Sequence, residues 1–121
     1  MAKDALVSED LASKFATEKE TPYTRWVKNE GLDIISAHYV RNLNTVDLKP
    51  WARRGGKGVY INHEASRTSN DCYVVEIAPG KQLEPQRQIF EEMIYVLSGR
   101  GSTTVWNDQG HRITFEWQAG A

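Results

Sequence analysis

The sequence predicts an all-β domain that follows a short helical arm. Segments of four to seven residues that are rich in β-branched and aromatic side chains recur from Val59 onward. Turn-forming segments such as "SGRG" and "NDQG" separate these runs. Helical periodicity, by contrast, disappears after Gly31. Short strands at regular intervals are typical of a barrel or a sandwich.

Composition narrows the function classes. A chain of 121 residues is a single domain with a modest core, and its net charge of −1 gives no electrostatic reason to expect nucleic acid or an anionic membrane as partner. No apolar run reaches 18 residues and the first ten residues contain no hydrophobic leader, so we predict a cytoplasmic protein. A single cysteine, Cys72, cannot form an intrachain disulfide, and its apolar surroundings predict a buried, inert thiol.

Two helices are predicted within an N-terminal arm of residues 1–31. Residues 8–20 begin with a serine that can cap a helix and place apolar side chains four positions apart. The second helix, about 22–30, has clearer boundaries: Thr21 is a capping residue, a proline occupies the first helical position, and Gly31 ends the element.

The remainder, residues 32–121, is predicted to be extended or irregular. Residues 32–40 favour a strand, and the following segment is broken by a proline and by glycines. Later strands are predicted at 59–62, 72–78, 91–97, 102–106 and 111–117. "SGRG" predicts a tight hairpin between two of these strands, and "NDQG" predicts a second hairpin.

One spacing pattern carries a specific signal. Gly80 is followed after five residues by Gln86 and Gln88, after three more by Glu92, and after six more by Gly99. This pattern resembles the first motif of the cupin superfamily, in which histidines occupy the two glutamine positions. Together with flanking segments, the resemblance extends over roughly residues 20 to 121 and is to the N-terminal half of two-cupin proteins similar to gentisate dioxygenases.

The resemblance implies a cupin jelly-roll barrel for residues 32–121. The second cupin motif starts with a glycine, and here Gly120 is followed by a single residue, so the barrel is apparently incomplete. Two interpretations stay open: the chain is part of a longer two-cupin protein, or another polypeptide supplies the missing strands. An open half-barrel exposes sheet edges and apolar surface, which favours a homo-oligomer.

The resemblance also implies a metal site at Gln86, Gln88 and Glu92. Alternate residues of a strand share one face, so the two glutamines point into the same space, and Glu92 returns to that face after a turn. In cupins this set binds Fe(II), Mn or Ni, and Glu92 is then either a ligand or the catalytic base. A glutamine amide oxygen is a weaker ligand than imidazole for such metals, so a site with no metal is the other possibility.

Two functions follow. The first is part of a two-cupin dioxygenase-like enzyme that acts on an aromatic or small carboxylated substrate. The alternative is a metal-free cupin in which Gln86, Gln88 and Glu92 form a hydrogen-bonded polar cluster that binds a small polar ligand, with a structural, regulatory or metal-independent lyase or isomerase role. Thr104 and Trp106 share the strand parity of the site residues and are predicted to line the same pocket.

Other chemistry-bearing residues are predicted to be structural. His38, His63 and His111 are scattered and have no partner at ligand spacing, and His38 is the one that an extended arm would bring to a pocket. The short basic run that contains Arg53 and Arg54 is predicted to be a solvated loop, with contact to a phosphate or carboxylate as the alternative.

Overall fold

A computed structural model describes residues 20–66 and 69–121. In these residues the chain is predominantly β, as predicted, with one short α-helix and one 3-10 helix. The strands described form two separate sheets and do not close into a barrel. The helix predicted at 8–20 lies, except for Glu20, outside the described residues. No helix in the described part is long and apolar enough to cross a membrane.

Helix α1 (Pro22–Asn29) confirms the second predicted helix. The Thr21 side chain accepts a hydrogen bond from the Thr24 amide at 3.1 Å, and a proline occupies the first turn. Gly31 ends the element with φ of +75°, a conformation that favours glycine because other residues have a Cβ atom.

Strand β3 is the centre of the first sheet. This sheet contains β1 (Ile34–Ala37), β2 (Lys49–Pro50), β3 (Lys57–His63) and β4 (Cys72–Glu76). β3 pairs in parallel with β1 and antiparallel with β2 and β4. The predicted strands at 32–40, 59–62 and 72–78 therefore correspond to β1, β3 and β4. The 3-10 helix (Leu43–Thr45) lies between β1 and β2.

The core lies between α1 and one face of this sheet. Val27, Leu32, Trp51 and Tyr60 form a buried cluster, and Tyr73 packs against it. Trp51 is 1% exposed, and its ring meets those of Tyr60 and Tyr73 edge-on at centroid distances of 5.5 and 5.3 Å. Edge-to-face pairs of this kind stabilise a core beyond simple area burial.

The second sheet is the antiparallel hairpin of β5 (Arg100–Trp106) and β6 (Arg112–Gln118). Its turn is the predicted "NDQG" hairpin: the Asn107 side chain accepts hydrogen bonds from the Gln109 and His111 amides at 3.0 and 3.1 Å. Polar and apolar side chains alternate along β6. Val105, Ile113 and Phe115 are exposed on one face, where they are 47%, 64% and 48% accessible.

The strand predicted at 91–97 and the "SGRG" hairpin are wrong. Among the described residues, 85–95 make no backbone-to-backbone hydrogen bonds, so this apolar run has no strand partner. The Val96 amide instead donates to the Ala121 carbonyl at 3.0 Å, and the Ala119 amide donates to Gly99 at 3.0 Å. Residues 96–99 thus lead directly into β5 and lie beside the residues that follow β6.

Cys72 also differs from its prediction. The residue is exposed rather than buried, because it opens β4. Its Sγ is nevertheless partly buried and lies 3.7 Å from the Ile61 carbonyl oxygen. The partial burial of the thiol raises its pKa.

Candidate functional site

Tyr73 connects the core to the candidate site. It lies in β4 directly opposite Tyr60 of β3, and the two ring centroids are 5.9 Å apart. This packing fixes the ring, while the hydroxyl reaches past the core and donates a hydrogen bond to the Glu92 carboxylate. Burial first, and the bond to Glu92 second, raise the pKa of Tyr73, so its hydroxyl remains a proton donor at neutral pH.

Four side chains form what we call the polar cluster: Tyr73, Gln86, Gln88 and Glu92. The Gln86 Nε2 atom donates to Gln88 Oε1 at 3.1 Å and to the Tyr73 hydroxyl oxygen at 3.4 Å. The Tyr73 hydroxyl then donates to Glu92. The three site residues predicted from the cupin spacing therefore lie in one hydrogen-bonded group, with Tyr73 as the link between the glutamines and the carboxylate.

The segment that carries the glutamines is held by a buried arginine. The Glu84 amide donates to the Arg54 carbonyl at 2.7 Å, and Arg54 Nη1 donates back to the Glu84 carbonyl. Arg54 is only 9% exposed, and burial lowers its pKa. The prediction of a solvated basic loop is thus wrong for Arg54, because its guanidinium is used to anchor the chain just before Gln86.

Arg53 is likewise held by its neighbours. Its guanidinium carbon lies 5.1 Å from the centroid of the Trp26 ring and 5.4 Å from that of Trp51. Its Nε donates to Glu30 Oε2 at 2.7 Å, and Trp51 Nε1 donates to the same oxygen at 2.5 Å. With one carboxylate and two indole rings around it, Arg53 is a preorganised cation rather than a mobile surface charge.

A cleft of about 570 Å³ lies beside the polar cluster. Its walls combine aromatic rings, two guanidinium groups and the two amides; they comprise Tyr23, Trp26, Arg53, Pro85, Gln86, Arg87, Gln88, Ile89 and Phe90. The Tyr23 ring stacks on Trp26 at a centroid distance of 5.9 Å and meets Phe90 edge-on at 6.5 Å. Arg87 forms an ion pair with Asp108 through two contacts of 3.0 Å, so the 85–90 segment is tied to the β5–β6 turn.

Thr104 and Trp106 do not join this group. The strand register is regular, and Thr104 lies opposite Thr114, to which it hydrogen-bonds at 2.7 Å. The guanidinium carbon of Arg112 lies over the Trp106 ring, 5.1 Å from the ring centroid. Neither residue lines the cleft or hydrogen-bonds to the polar cluster. Alternation along the strand does place Thr104 and Trp106 on one face of the hairpin. That face does not adjoin the polar cluster through strand pairing, because the hairpin and the sheet that contains β4 are separate.

The polar cluster does not have the character of a transition-metal site. The atom between Gln88 and Tyr73 is the Gln86 amide nitrogen, an N–H donor that a cation would repel. Gln88 offers its Oε1 to that N–H group, and Glu92 accepts from Tyr73. Among the described residues, the cluster oxygens that take no part in these bonds are Gln86 Oε1 and the second Glu92 oxygen. One neutral amide and one carboxylate are a weak ligand set for such metals.

Histidines do not supply a replacement set. His38 lies 3.3 Å from a Glu64 carboxylate oxygen at an exposed position rather than in the cleft. Within residues 20–66 and 69–121, no three His, Cys, Asp or Glu side chains are grouped so that they could hold a metal ion.

The sequence alone did not identify Tyr73, Arg53 or the aromatic residues of the cleft as parts of the site. The alternation in "CYVVEIA" gave a signal, since Tyr73 and Val75 lie on one face of β4 and both pack on the core. The contact of Arg53 with Trp26 and Glu30 had no local signal, because both residues belong to α1 and its C-terminal cap, more than twenty positions earlier in the chain. Comparisons of this chain with protein families, with curated proteins and with solved structures gave no match.

Proposed function

We propose that this chain is a cupin-type domain that binds a small planar ligand with polar or carboxylate groups, and that it does so without a transition metal at Gln86, Gln88 and Glu92. The observation that carries the proposal is the polar cluster itself, which closes on hydrogen bonds between its own members beside an aromatic cleft.

The dimensions and chemistry of the cleft support a small-molecule ligand. Its volume of about 570 Å³ falls within the range of roughly 300–1,000 Å³ typical of such sites. Tyr23, Trp26 and Phe90 suit a planar ring, and Arg53 offers a fixed positive charge that suits a carboxylate.

Benzoate is a suitable first probe, since it combines a planar ring with a carboxylate. Trp26 lines the cleft, so binding should quench tryptophan fluorescence in a saturable manner. Substitution Arg53→Lys keeps the charge but loses the planar stacked group, and we expect benzoate affinity to fall by about fivefold or more. The matched control is Arg41→Lys, an exposed arginine outside the cleft, which should leave the affinity unchanged. Absence of saturable binding, or equal effects of the two substitutions, would overturn the proposal.

A dioxygenase-like function is the second candidate. It is favoured by one observation, namely that the three positions which hold metal ligands in cupins lie in one cluster here. Metal analysis of the purified protein separates the two candidates. Iron, manganese, nickel, zinc or copper near one equivalent, lost in Glu92→Gln, would support the oxygenase; less than about a tenth of an equivalent would remove it.

A further inference from the structure

The hydrogen bonds of the polar cluster have a fixed direction. A carboxylate only accepts, so the single proton of the Tyr73 hydroxyl is directed to Glu92. The Tyr73 oxygen is then left as an acceptor, and the group that donates to it must be the Gln86 NH₂. The same NH₂ donates to Gln88 Oε1. Tyr73 and Glu92 thereby determine which way both amides are turned.

This direction leaves a defined pair of groups for a ligand. Within the part of the chain that the structure describes, Gln86 Oε1 and Gln88 Nε2 make no hydrogen bonds, and both residues line the cleft. Gln86 Oε1 is an acceptor and Gln88 Nε2 is a donor, and the two side chains are hydrogen-bonded to each other. A planar ligand with a donor and an acceptor side by side is complementary to such a pair.

We infer that the cleft recognises planar carboxamides or lactams through Gln86 and Gln88, and that Tyr73 is the positioning residue that sets the direction of this amide pair. The inference rests on the proposed function and adds to it a ligand class distinct from carboxylates. A carboxylate has no donor for Gln86 Oε1, so it is expected to use the guanidinium of Arg53 instead.

Benzamide and benzoate are suitable probes, because they share a ring and differ in its substituent: a neutral carboxamide with a donor and an acceptor, or an anionic carboxylate with acceptors only. Binding of both should be measured by calorimetry or tryptophan quenching on the whole chain. In Tyr73→Phe the ring packing on Trp51 is retained but the hydroxyl is lost. We expect benzamide affinity to fall by about fivefold or more, while benzoate affinity changes by less than about twofold.

Glu92→Gln is the second variant, and it keeps a hydrogen-bonding group at the position. A neutral amide both donates and accepts, so the Tyr73 hydroxyl proton no longer has to point to residue 92. We expect the ratio of benzamide affinity to benzoate affinity to fall by about threefold or more. Circular dichroism of each variant checks that it is folded before binding is measured.

The outcomes separate the two proposals. If the wild-type protein does not bind benzoate saturably, the proposed function fails and the inference fails with it. If it binds benzoate but not benzamide, only the inference is overturned. If it binds both, but Tyr73→Phe and Glu92→Gln weaken them equally or leave them unchanged, only the inference is overturned. A selective loss of benzamide binding in Tyr73→Phe, together with a reduced preference in Glu92→Gln, would support it.

Discussion

The bond between Tyr73 and Glu92 should be measurable as a coupling energy. Replacement of Tyr73 by Phe removes one hydroxyl that donates to a carboxylate and accepts from Gln86, and leaves the aromatic packing in place. A hydrogen bond to a charged group contributes about 1.5–3 kcal/mol to stability, and the exposure of Glu92 places this bond near the lower limit. We therefore expect Tyr73→Phe to destabilise the fold by about 1–2 kcal/mol.

Urea unfolding of the single and double variants gives the test. Glu92→Gln should cost about 1 kcal/mol. The double variant should be less destabilised than the sum of the two by about 0.5–1 kcal/mol, because Glu92→Gln removes the charge that strengthens the bond and Tyr73→Phe removes the bond itself. Tyr23→Phe is the matched control, since its hydroxyl donates to Asp71 at 2.9 Å and not to Glu92. Its effect should add to that of Glu92→Gln within about 0.5 kcal/mol. Additive effects of Tyr73→Phe and Glu92→Gln would refute the contact.

Three further predictions concern packing, pH and association. Gly56→Ala should lower the unfolding free energy by about 1–3 kcal/mol, because an added Cβ would lie 2.5 Å from the Glu76 carbonyl oxygen; a neutral effect in urea unfolding would contradict this close approach. Burial raises the pKa of Tyr60 to about 12 from its ordinary 10, so the stability that its neutral form supplies is complete below pH 10 and lost as the pH rises toward 12. Urea unfolding followed by circular dichroism should show a smaller loss of stability between pH 10 and 12 in Tyr60→Phe than in the wild type, because Tyr73, whose pKa is also raised, titrates in both; equal losses in the two proteins would contradict this. The exposed apolar face of Val105, Ile113 and Phe115 is consistent with the oligomer expected from the sequence, which light scattering after gel filtration would test; a monomer at high micromolar concentration would exclude it.

Local signals in the sequence were sufficient for most of the elements. Thr21, Pro22 and Gly31 act within a few residues of one another, so the helix they bound could be predicted closely. The turn at Asn107–Gly110 is likewise determined by its own side chains. Residues 91–97 have the composition of a strand, but a strand also needs a partner. Among the described residues only Val96 has backbone hydrogen bonds in this run, to Gly120 and Ala121, and residues 91–95 have none.

The candidate site was predictable only in part. The spacing of Gln86, Gln88 and Glu92 indicated that they share a location, and the structure places them in one cluster. What joins them is Tyr73, which lies thirteen residues before Gln86 and reaches the cluster only because β4 packs against β3. Long-range packing of this kind leaves no signature in the spacing of the motif.

The most direct measurement is a nuclear Overhauser experiment on the side-chain amide protons of Gln86. With Gln86 Nε2 at 3.4 Å from the Tyr73 hydroxyl and 3.1 Å from Gln88 Oε1, cross-peaks to the Tyr73 ring protons and to the Gln88 side chain are expected. These cross-peaks should weaken in Tyr73→Phe and persist in the control Tyr23→Phe. A Gln86 amide with cross-peaks only to water and to its own residue would contradict the existence of the polar cluster, and with it the proposed ligand site.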